Sequence, residues 1–326
     1  MLAMVLRAAR SPLELMERPN PPLRPGQVRV RVEACAVCRT DLHVQAGELP
    51  DVPHPIVPGH QAVGIVEEVS GGTRLKVGDR VGLPWLGSTC GVCPYCRGGR
   101  ENLCDAPTFN GYTRDGGFAE YAVAEADFAI PLERTDDPIA TAPLLCAGLI
   151  GWRSLLATGT AQTLSIFGFG AAAHLLAQIC TSQGRTVYAF TRPGDTPAQG
   201  FARELGAAWA GSSNEAPPKP ADAAIIFAPA GELVPRALAT VRKGGVVVCG
   251  GIHMTDIPAF PYRLLWEERR LVSIANLTRD DATSFFPAAR RAGVRARTHT
   301  YPLRAANEAL NDLAAGRIHG TAVLVP

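Results

Sequence analysis

The chain has 326 residues, of which 47% are hydrophobic and 19% are charged, and its formal net charge is +2. The length favours two domains, and the composition is that of a folded globular protein. The small net charge gives no indication of a nucleic-acid partner. We interpret the one cluster of basic residues as a solvated face: Arg290, Arg291, Arg295 and Arg297.

Two segments bear on the cellular location of the protein. Residues 1–10 lack the charged, apolar and cleavage regions of a signal peptide. Residues 154–184 contain no Asp, Glu, Lys or Arg, but Gly, Thr, Gln and His174 interrupt their apolar residues, so we predict a buried segment and no membrane partner. We therefore expect a cytoplasmic protein whose nine cysteines are metal ligands or core residues before they are disulfides.

The first 145 residues predict a β-rich, barrel-like domain. Short alternating runs, such as residues 27–32 and 63–69, are typical of strands. Turn signals separate these runs, as at Pro25-Gly26 and Gly71-Gly72.

From about residue 150 the pattern changes to short apolar strands that alternate with helices. This alternation favours an α/β domain with a doubly wound parallel sheet. The predicted strands are residues 164–167, 186–190, 223–227, 245–248 and 271–275, and the predicted helices are residues 171–182, 199–205 and 233–241. We expect residues 276–326, with a helix at 305–314 and a strand at 321–325, to return to the first domain.

Four cysteines are closely spaced in the pattern C-x2-C-x2-C-x7-C: Cys90, Cys93, Cys96 and Cys104. Four thiolates fill a tetrahedral zinc shell and leave no position for water or substrate, so we predict a structural zinc site. An iron–sulfur cluster and two disulfides are the alternatives. A nucleic-acid-binding zinc ribbon is disfavoured because the loop has no dense basic and aromatic residues.

Three further residues of metal-binding types are spread more widely: Cys38 in CRTDLH, His60 in PGH and Cys146 in LLCAG. With the four-cysteine loop and the segment from Gly111 to Tyr121, these motifs resemble the zinc-containing medium-chain dehydrogenases over almost the whole chain. The resemblance implies a GroES-like β-rich catalytic domain, residues 1–148 and 277–326, and a Rossmann dinucleotide-binding domain, residues 149–276. It also implies a homodimer or homotetramer.

By the same resemblance, Cys38, His60 and Cys146 bind a catalytic zinc that keeps one coordination position open, so two zinc ions per chain are expected. Zinc in such a site lowers the pKa of a bound alcohol from about 16 towards about 7. The expected reaction is hydride transfer between a primary or secondary alcohol, or its aldehyde or ketone, and a nicotinamide cofactor.

The resemblance also assigns roles to residues around this zinc. Thr40 and His43 match the family's proton relay, Asp41 matches the carboxylate that orients His60, and Arg39 matches a residue facing the cofactor pyrophosphate. One position departs from the family: Gln61 follows His60 where a Glu is usual. That Glu can move onto the zinc and assist exchange. Since the relay does not need it, we expect turnover with Gln61.

The run from Gly168 to Ala173 has the pattern G-x-G-x-x-A between a predicted strand and a predicted helix, which indicates dinucleotide binding. Gly168 permits the tight turn, and Gly170 lets the pyrophosphate approach the backbone. Thr191 and Arg192 follow the second strand, where NAD-specific folds place a carboxylate. A hydroxyl and a guanidinium suit a 2′-phosphate, so we favour NADP(H) over NAD(H). Alternatively, Arg192 only stacks on adenine.

The resemblance extends to the substrate. Trp85 matches an aromatic residue that narrows the pocket of yeast-like alcohol dehydrogenases, and Leu49 stands in place of a second Trp. We therefore expect small-molecule alcohols bulkier than ethanol. Two other functions stay open. One is a zinc-free quinone or enoyl reductase, but such enzymes lack the metal ligands present here. The other is a non-catalytic zinc- or redox-responsive binding protein, but such a protein needs no proton relay.

Overall fold

Strands dominate the first half of the chain, and strands alternate with helices in the second half. The computed structural model describes residues 1–326. The strands are β1 (Leu2–Val5), β2 (Glu14–Glu17), β3 (Gln27–Val37), β4 (Ala62–Val69), β5 (Arg80–Leu83), β6 (Leu86–Ser88), β7 (Thr108–Phe109), β8 (Tyr121–Glu125), β9 (Ile130–Pro131), β10 (Thr163–Phe167), β11 (Thr186–Thr191), β12 (Trp209–Ser212), β13 (Ala221–Ile226), β14 (Val241–Cys249), β15 (Arg270–Ser273), β16 (Thr298–Pro302) and β17 (Thr321–Val325).

The helices are mostly short. The α-helices are α1 (Arg39–Ala46), α2 (Pro94–Arg97), α3 (Pro138–Thr141), α4 (Ala147–Ala157), α5 (Ala171–Ser182), α6 (Thr196–Glu204), α7 (Leu233–Thr240), α8 (Arg279–Ala292) and α9 (Ala306–Ala314). The 3-10 helices are Glu101–Leu103, Ala142–Leu145, Tyr262–Leu264 and Leu303–Ala305. The chain divides into unit 1, residues 1–147, 277–282 and 296–326, and unit 2, residues 148–276 and 283–295.

A seven-stranded sheet forms the centre of unit 1. Its order is β16-β17-β3-β4-β5-β9, and β8 also pairs with β3. The long strand β3 is buried at alternate positions in its first half, at Val28, Val30 and Val32, as expected of a strand with one face on the core. The C-terminal strand β17 pairs antiparallel with β3, where Ala322 lies opposite Val37. The end of the chain therefore supports the strand that leads into Cys38.

A six-stranded parallel sheet forms the centre of unit 2. Its order is β12-β11-β10-β13-β14-β15, and every pair in it is parallel. Counted along the chain, this is the order 3-2-1-4-5-6 of a Rossmann fold, which binds ligands at the carboxyl ends of the strands where the order reverses. That point lies between β10 and β13. Phe167 and Phe190 stack in the core beside it, with ring centroids 4.2 Å apart.

The uncharged segment 154–184 forms the end of α4, the whole of β10 and the whole of α5. Its Leu164, Ile166 and Leu175 are buried in unit 2, as predicted. No single helix of the chain has the length and apolar composition needed to cross a bilayer. Residues Pro138–Leu145 and Ala147–Ala157 meet that test only when counted together, and a 45° bend separates them.

The sequence-based prediction lacked four α-helices and strands of the chain after residue 146: α4, β12, α8 and β16. Strand β12 is only four residues long and includes a glycine. Helix α8 contains Pro287, which cannot donate a backbone hydrogen bond and normally argues against a helix. Pro287 is exposed, while Phe285, Phe286, Ala288 and Ala289 on the same helix are buried. Burial of these apolar side chains outweighs the lost hydrogen bond.

Candidate metal and cofactor sites

Cys38 caps the N-terminus of α1. Its sulfur accepts the N–H of Thr40 at 3.3 Å, and its own N–H donates to Oδ2 of Asp41 at 2.9 Å. The CRTD run thus forms a capping box in which a thiol takes the place of the usual hydroxyl. These capping bonds fix the position of the sulfur, as a metal ligand requires.

His60 is fixed by close backbone packing and by two polar neighbours. The preceding Gly59 has φ +96°, and a Cβ there would lie 2.8 Å from the backbone nitrogen of Phe118, so only glycine fits. Nε2 of His60 lies 3.0 Å from Sγ of Cys38. Nδ1 lies 3.2 Å from Oδ1 of Asp41. The ring therefore presents Nε2 to the thiol and Nδ1 to the carboxylate.

Cys146 completes a group of three. It follows the 3-10 helix Ala142–Leu145. Its sulfur, the sulfur of Cys38 and a ring nitrogen of His60 all lie within 4.8 Å of one another. Two thiols and one imidazole are ligands that zinc prefers, and three protein ligands leave a fourth position open. The donor set therefore fits the expected catalytic zinc.

The side chains of this group change one another's pKa values. Hydrogen bonding to Cys146 and burial raise the pKa of Cys38 well above its usual value. Burial opposes the charged form of His60, but the Cys38 thiolate and the Asp41 carboxylate outweigh it and raise the pKa of His60 to about 10. A metal ion binds deprotonated thiols and neutral imidazole, so metal binding at this group displaces protons.

The four-cysteine loop also converges. The sulfur atoms of Cys90, Cys93, Cys96 and Cys104 lie within 4.8 Å of one another. Backbone N–H groups of Cys96 and Asp105 lower the pKa of Cys93 to about 6. All nine cysteines of the chain are unpaired thiols, so the alternative of two disulfides is wrong for this structure. N–H groups directed at several sulfurs favour thiolates, and four thiolates fit a closed zinc site.

The glycine-rich loop has the shape that its motif predicts. Gly168 has φ +89°, and a Cβ on it would lie 2.8 Å from the nitrogen of Ala228. A Cβ on Gly170 would meet nothing within 4 Å, so open space lies beside the N-terminus of α5. Ala173 is fully buried, as a small residue packed between helix and strand should be. The open space at Gly170 and the unsatisfied N–H groups of the helix fit a pyrophosphate.

The two residues expected beside a 2′-phosphate differ in accessibility. Thr191 is buried, and its hydroxyl donates to the carbonyl oxygen of Arg192 at 3.1 Å and accepts from Nε2 of Gln199 at 3.1 Å. Arg192 is exposed. Of this pair, the Arg192 guanidinium is therefore the group available to a ligand. Arg39 is likewise exposed, in the first turn of α1.

Thr40 and His43 lie one turn apart on α1, so they share a face of the helix. Thr40 is nearly buried, whereas His43 is partly exposed. Nδ1 of His43 lies 2.5 Å from Oε2 of Glu48. Glu48 was not predicted from the sequence, because the turn that brings it back to His43 depends on the left-handed conformation of Gly47, φ +69°.

Comparison with known proteins agrees with this geometry. Residues 24–134 match the family model of the alcohol dehydrogenase GroES-like domain. The chain is 45% identical over 323 residues to the Mycobacterium tuberculosis protein named "Probable alcohol dehydrogenase AdhA", covering 96% of this chain and 93% of that one. Such identity over nearly the whole chain decides the family.

The chain belongs to the zinc-containing medium-chain alcohol dehydrogenase family. The predicted family and the predicted α/β fold class, GroES-like plus Rossmann, are confirmed. Two solved structures agree. A cinnamyl alcohol dehydrogenase of Sorghum bicolor has a TM-score of 0.90 at 25% identity, covering 99% of this chain and 97% of that one. A chain from Sinorhizobium meliloti 1021, solved bound to NADP, has a TM-score of 0.88 at 26% identity, covering 100% and 99%.

In this alcohol dehydrogenase family member, an aromatic group adjoins the candidate catalytic metal ligands. Trp85 meets the ring of His60 edge-on, with centroids 4.8 Å apart. It stacks on Phe109 at 5.2 Å and on Tyr112 at 5.4 Å. Of these three aromatic residues, only Trp85 was predicted from the sequence to lie near the substrate. Tyr112 lies in the family motif, but nothing in the sequence indicates that its ring stacks on Trp85.

Proposed function

We propose that this protein transfers hydride between a small alcohol, or its aldehyde or ketone, and a nicotinamide cofactor, with a catalytic zinc bound by Cys38, His60 and Cys146. One observation carries the proposal. Three soft or borderline ligands from three separate parts of unit 1 converge within 4.8 Å, and Asp41 faces the far side of the His60 ring. A three-ligand site of this kind is typical of catalytic zinc.

Zinc bound there would supply a Lewis acid that polarises the oxygen of the alcohol or carbonyl substrate. The protein's own residues set the conditions for this chemistry. Two thiolates and a neutral imidazole balance the charge of the ion. Asp41 fixes the His60 ring with Nε2 directed at the metal position, and its other oxygen holds the N–H of Cys38.

We further propose that Thr40 and His43 move the alcohol proton to solvent. A hydroxyl both accepts and donates, so the nearly buried Thr40 suits the inner end of the path. An imidazole also both accepts and donates a proton, and the partly exposed His43 suits the outer end. Glu48, 2.5 Å from Nδ1, holds the His43 ring in place.

A second zinc is proposed at Cys90, Cys93, Cys96 and Cys104, where it stabilises the loop and takes no part in catalysis. The functional domains are proposed as residues 1–148 with 277–326, and residues 149–276. Nine unpaired cysteines, four in one metal group and three in the other, support a reducing, cytoplasmic location.

The cofactor is proposed to be NADP(H). Its pyrophosphate would lie at Gly168, Gly170 and the first turn of α5, with Arg39 as a further charge. The preference rests on Arg192, which is exposed at the end of β11 where a carboxylate would select NAD. The Sinorhizobium meliloti neighbour solved with NADP supports it.

The substrate is proposed to be an alcohol bulkier than ethanol. Leu49 is smaller than the Trp expected at its position, whereas Trp85 is retained beside His60. The Sorghum bicolor neighbour is named for cinnamyl alcohol, a bulky aromatic substrate.

We also propose a homodimer formed through unit 2. Strand β15 is an edge strand of the parallel sheet, and exposed strand edges favour pairing with another chain. Large apolar side chains are exposed on the residues before it: Ile252, Ile257, Tyr262 and Trp266. Light scattering of wild type and of Trp266→Glu tests this, since loss of the apolar contact should give monomers. A homotetramer would need a second surface.

A substrate panel tests the function. Ethanol, butanol and benzyl alcohol, with their aldehydes, are assayed with NADP(H) and NAD(H), before and after dialysis against a chelator. The proposal predicts oxidation of the larger alcohols, preference for NADP(H) and loss of activity on metal removal. Reduction of quinones or enones that survives chelation would instead indicate a zinc-free reductase. Zinc binding without turnover of any substrate would indicate a sensor.

A further inference from the structure

Tyr112 connects the aromatic group beside His60 to the segment that carries Leu49. Its ring stacks on Trp85, with planes 13° apart and centroids 5.4 Å apart. Its hydroxyl donates to the backbone oxygen of Pro50 at 2.5 Å. Since Trp85 also meets the His60 ring, a continuous path of contacts runs from a metal ligand to Pro50.

The 49–53 loop, residues 49 to 53, contains a turn at Pro50 and Asp51 but makes no backbone hydrogen bond to another segment. The backbone hydrogen bonds nearest to it come from the N–H of Glu48 and the N–H of Ile56, on either side. Leu49 is half-buried against the core of unit 1. The hydrogen bond from Tyr112 therefore ties the middle of this loop to the aromatic group.

The Tyr112 hydroxyl is well suited to act as a donor. Burial and the nearby negative charge of Asp51 raise the pKa of Tyr112 above its usual value of 10. The phenol stays protonated through the whole range in which the enzyme would work, and a carbonyl oxygen only accepts. The bond to Pro50 is thus present at any working pH.

We propose that Tyr112 is a positioning residue that determines substrate size: its hydroxyl holds the 49–53 loop against Trp85 and thereby fixes Leu49 at the edge of the alcohol pocket. This rests on the proposed function, because Trp85 and Leu49 are assigned to that pocket there. When the bond is lost, the loop and Leu49 move outwards more easily. The kcat/KM for bulky alcohols should therefore rise relative to that for small alcohols.

Tyr112→Phe tests this, because it keeps the stacked ring and removes only the hydroxyl. Tyr301→Phe is the matched control, since it removes a hydroxyl that bonds Asp312 at 2.7 Å elsewhere in unit 1. Two quantities are measured: kcat/KM for ethanol, butanol and benzyl alcohol, and amide hydrogen exchange of the peptide containing residues 47–56.

In Tyr112→Phe, we expect the benzyl alcohol to ethanol ratio of kcat/KM to rise about five-fold. Exchange of the hydrogen-bonded amides of Glu48 and Ile56, at the two ends of the 49–53 loop, should speed up by up to about ten-fold, as expected for the loss of one net hydrogen bond. Tyr301→Phe should change neither. The proposal is overturned if kcat/KM falls equally for all three alcohols, if the benzyl alcohol to ethanol ratio is unchanged, or if amide exchange is unchanged. A wild type that oxidises no alcohol overturns the proposed function, and the specificity role falls with it, while the exchange data still report whether the loop is tied.

Discussion

Oδ1 of Asp41 lies 3.2 Å from Nδ1 of His60, and both side chains are essentially excluded from solvent. Its second oxygen accepts the N–H of Cys38 at 2.9 Å. One carboxylate thus positions two of the three ligands of the candidate catalytic site. An outer partner of this kind fixes the orientation of a ligating histidine and strengthens it as a ligand.

Asp41→Asn should weaken zinc binding at this group. The amide keeps the shape but loses the charge that orients the His60 ring, so we expect zinc affinity to fall about 10- to 100-fold. Competition with a chromogenic chelator measures it. Asp256→Asn, at an exposed position of unit 2, is the control. Equal zinc retention by Asp41→Asn and wild type would show that Asp41 does not support the site.

Gln61→Glu should leave turnover within about ten-fold of wild type, because Thr40 and His43 supply the proton path without a carboxylate at this position. Gln61 is fully buried, and its Nε2 donates to the oxygen of Ala36 at 3.4 Å. A carboxylate cannot make that bond. Steady-state kcat on a reactive alcohol is the measurement, and a gain of several orders of magnitude would contradict the account.

Arg192→Ala should change cofactor preference. Loss of a charge-assisted bond to the 2′-phosphate is expected to lower kcat/KM for NADPH about 10- to 100-fold and to leave the value for NADH within about two-fold. Arg291→Ala, another exposed arginine of unit 2, should alter neither value. An equal fall for both cofactors would indicate that Arg192 only stacks on adenine.

Glu101→Gln should destabilise the protein. Glu101 accepts hydrogen bonds from the side chain and backbone of Arg279, at distances down to 2.7 Å. Arg279 is half-exposed, so solvent screens the pair, and the loss is expected to be about 1–2 kcal/mol at pH 7, at the low end for a hydrogen bond to a charged group. Urea unfolding measures the change, with Glu14→Gln, in the exposed pair with Arg7, as control.

The same pair predicts a pH dependence. Burial acts to raise the pKa of Glu101, but hydrogen bonds and charge from Arg279 outweigh it and lower the pKa below the usual 4.5. A depressed pKa in the folded state contributes stability above that usual value, and the contribution is lost as the pH falls through the folded-state pKa. The difference between Glu101→Gln and wild type should therefore shrink below pH 4.5. A difference that stays constant down to acid unfolding would contradict this.

Much of the fold followed from periodicity and turn chemistry. Helix α5 and strand β17 have the predicted bounds, because strong apolar patterns end there at clear turn signals. Helix α8 was missed because Pro287 argues locally against it, and its support is long-range burial. Sequence patterns within one segment do not show how much stability such long-range burial supplies.

The candidate sites likewise divide into features that local sequence reveals and features that only the fold reveals. Closely spaced cysteines such as Cys90 and Cys93 reveal their own grouping, whereas Cys38 and Cys146 are linked only through the family resemblance and the fold. Contacts that depend on loop conformation gave no sequence signal. Glu48 beside His43, and Tyr112 against Pro50, are of this kind.

The metal content of wild type and Cys146→Ala, measured beside activity, tests the central claim most directly. We expect two zinc ions per chain in wild type, and one in Cys146→Ala together with loss of alcohol oxidation. Cys180→Ala, which changes a buried cysteine outside both metal groups, should keep both ions and activity. Unchanged zinc content and unchanged turnover in Cys146→Ala would contradict the account.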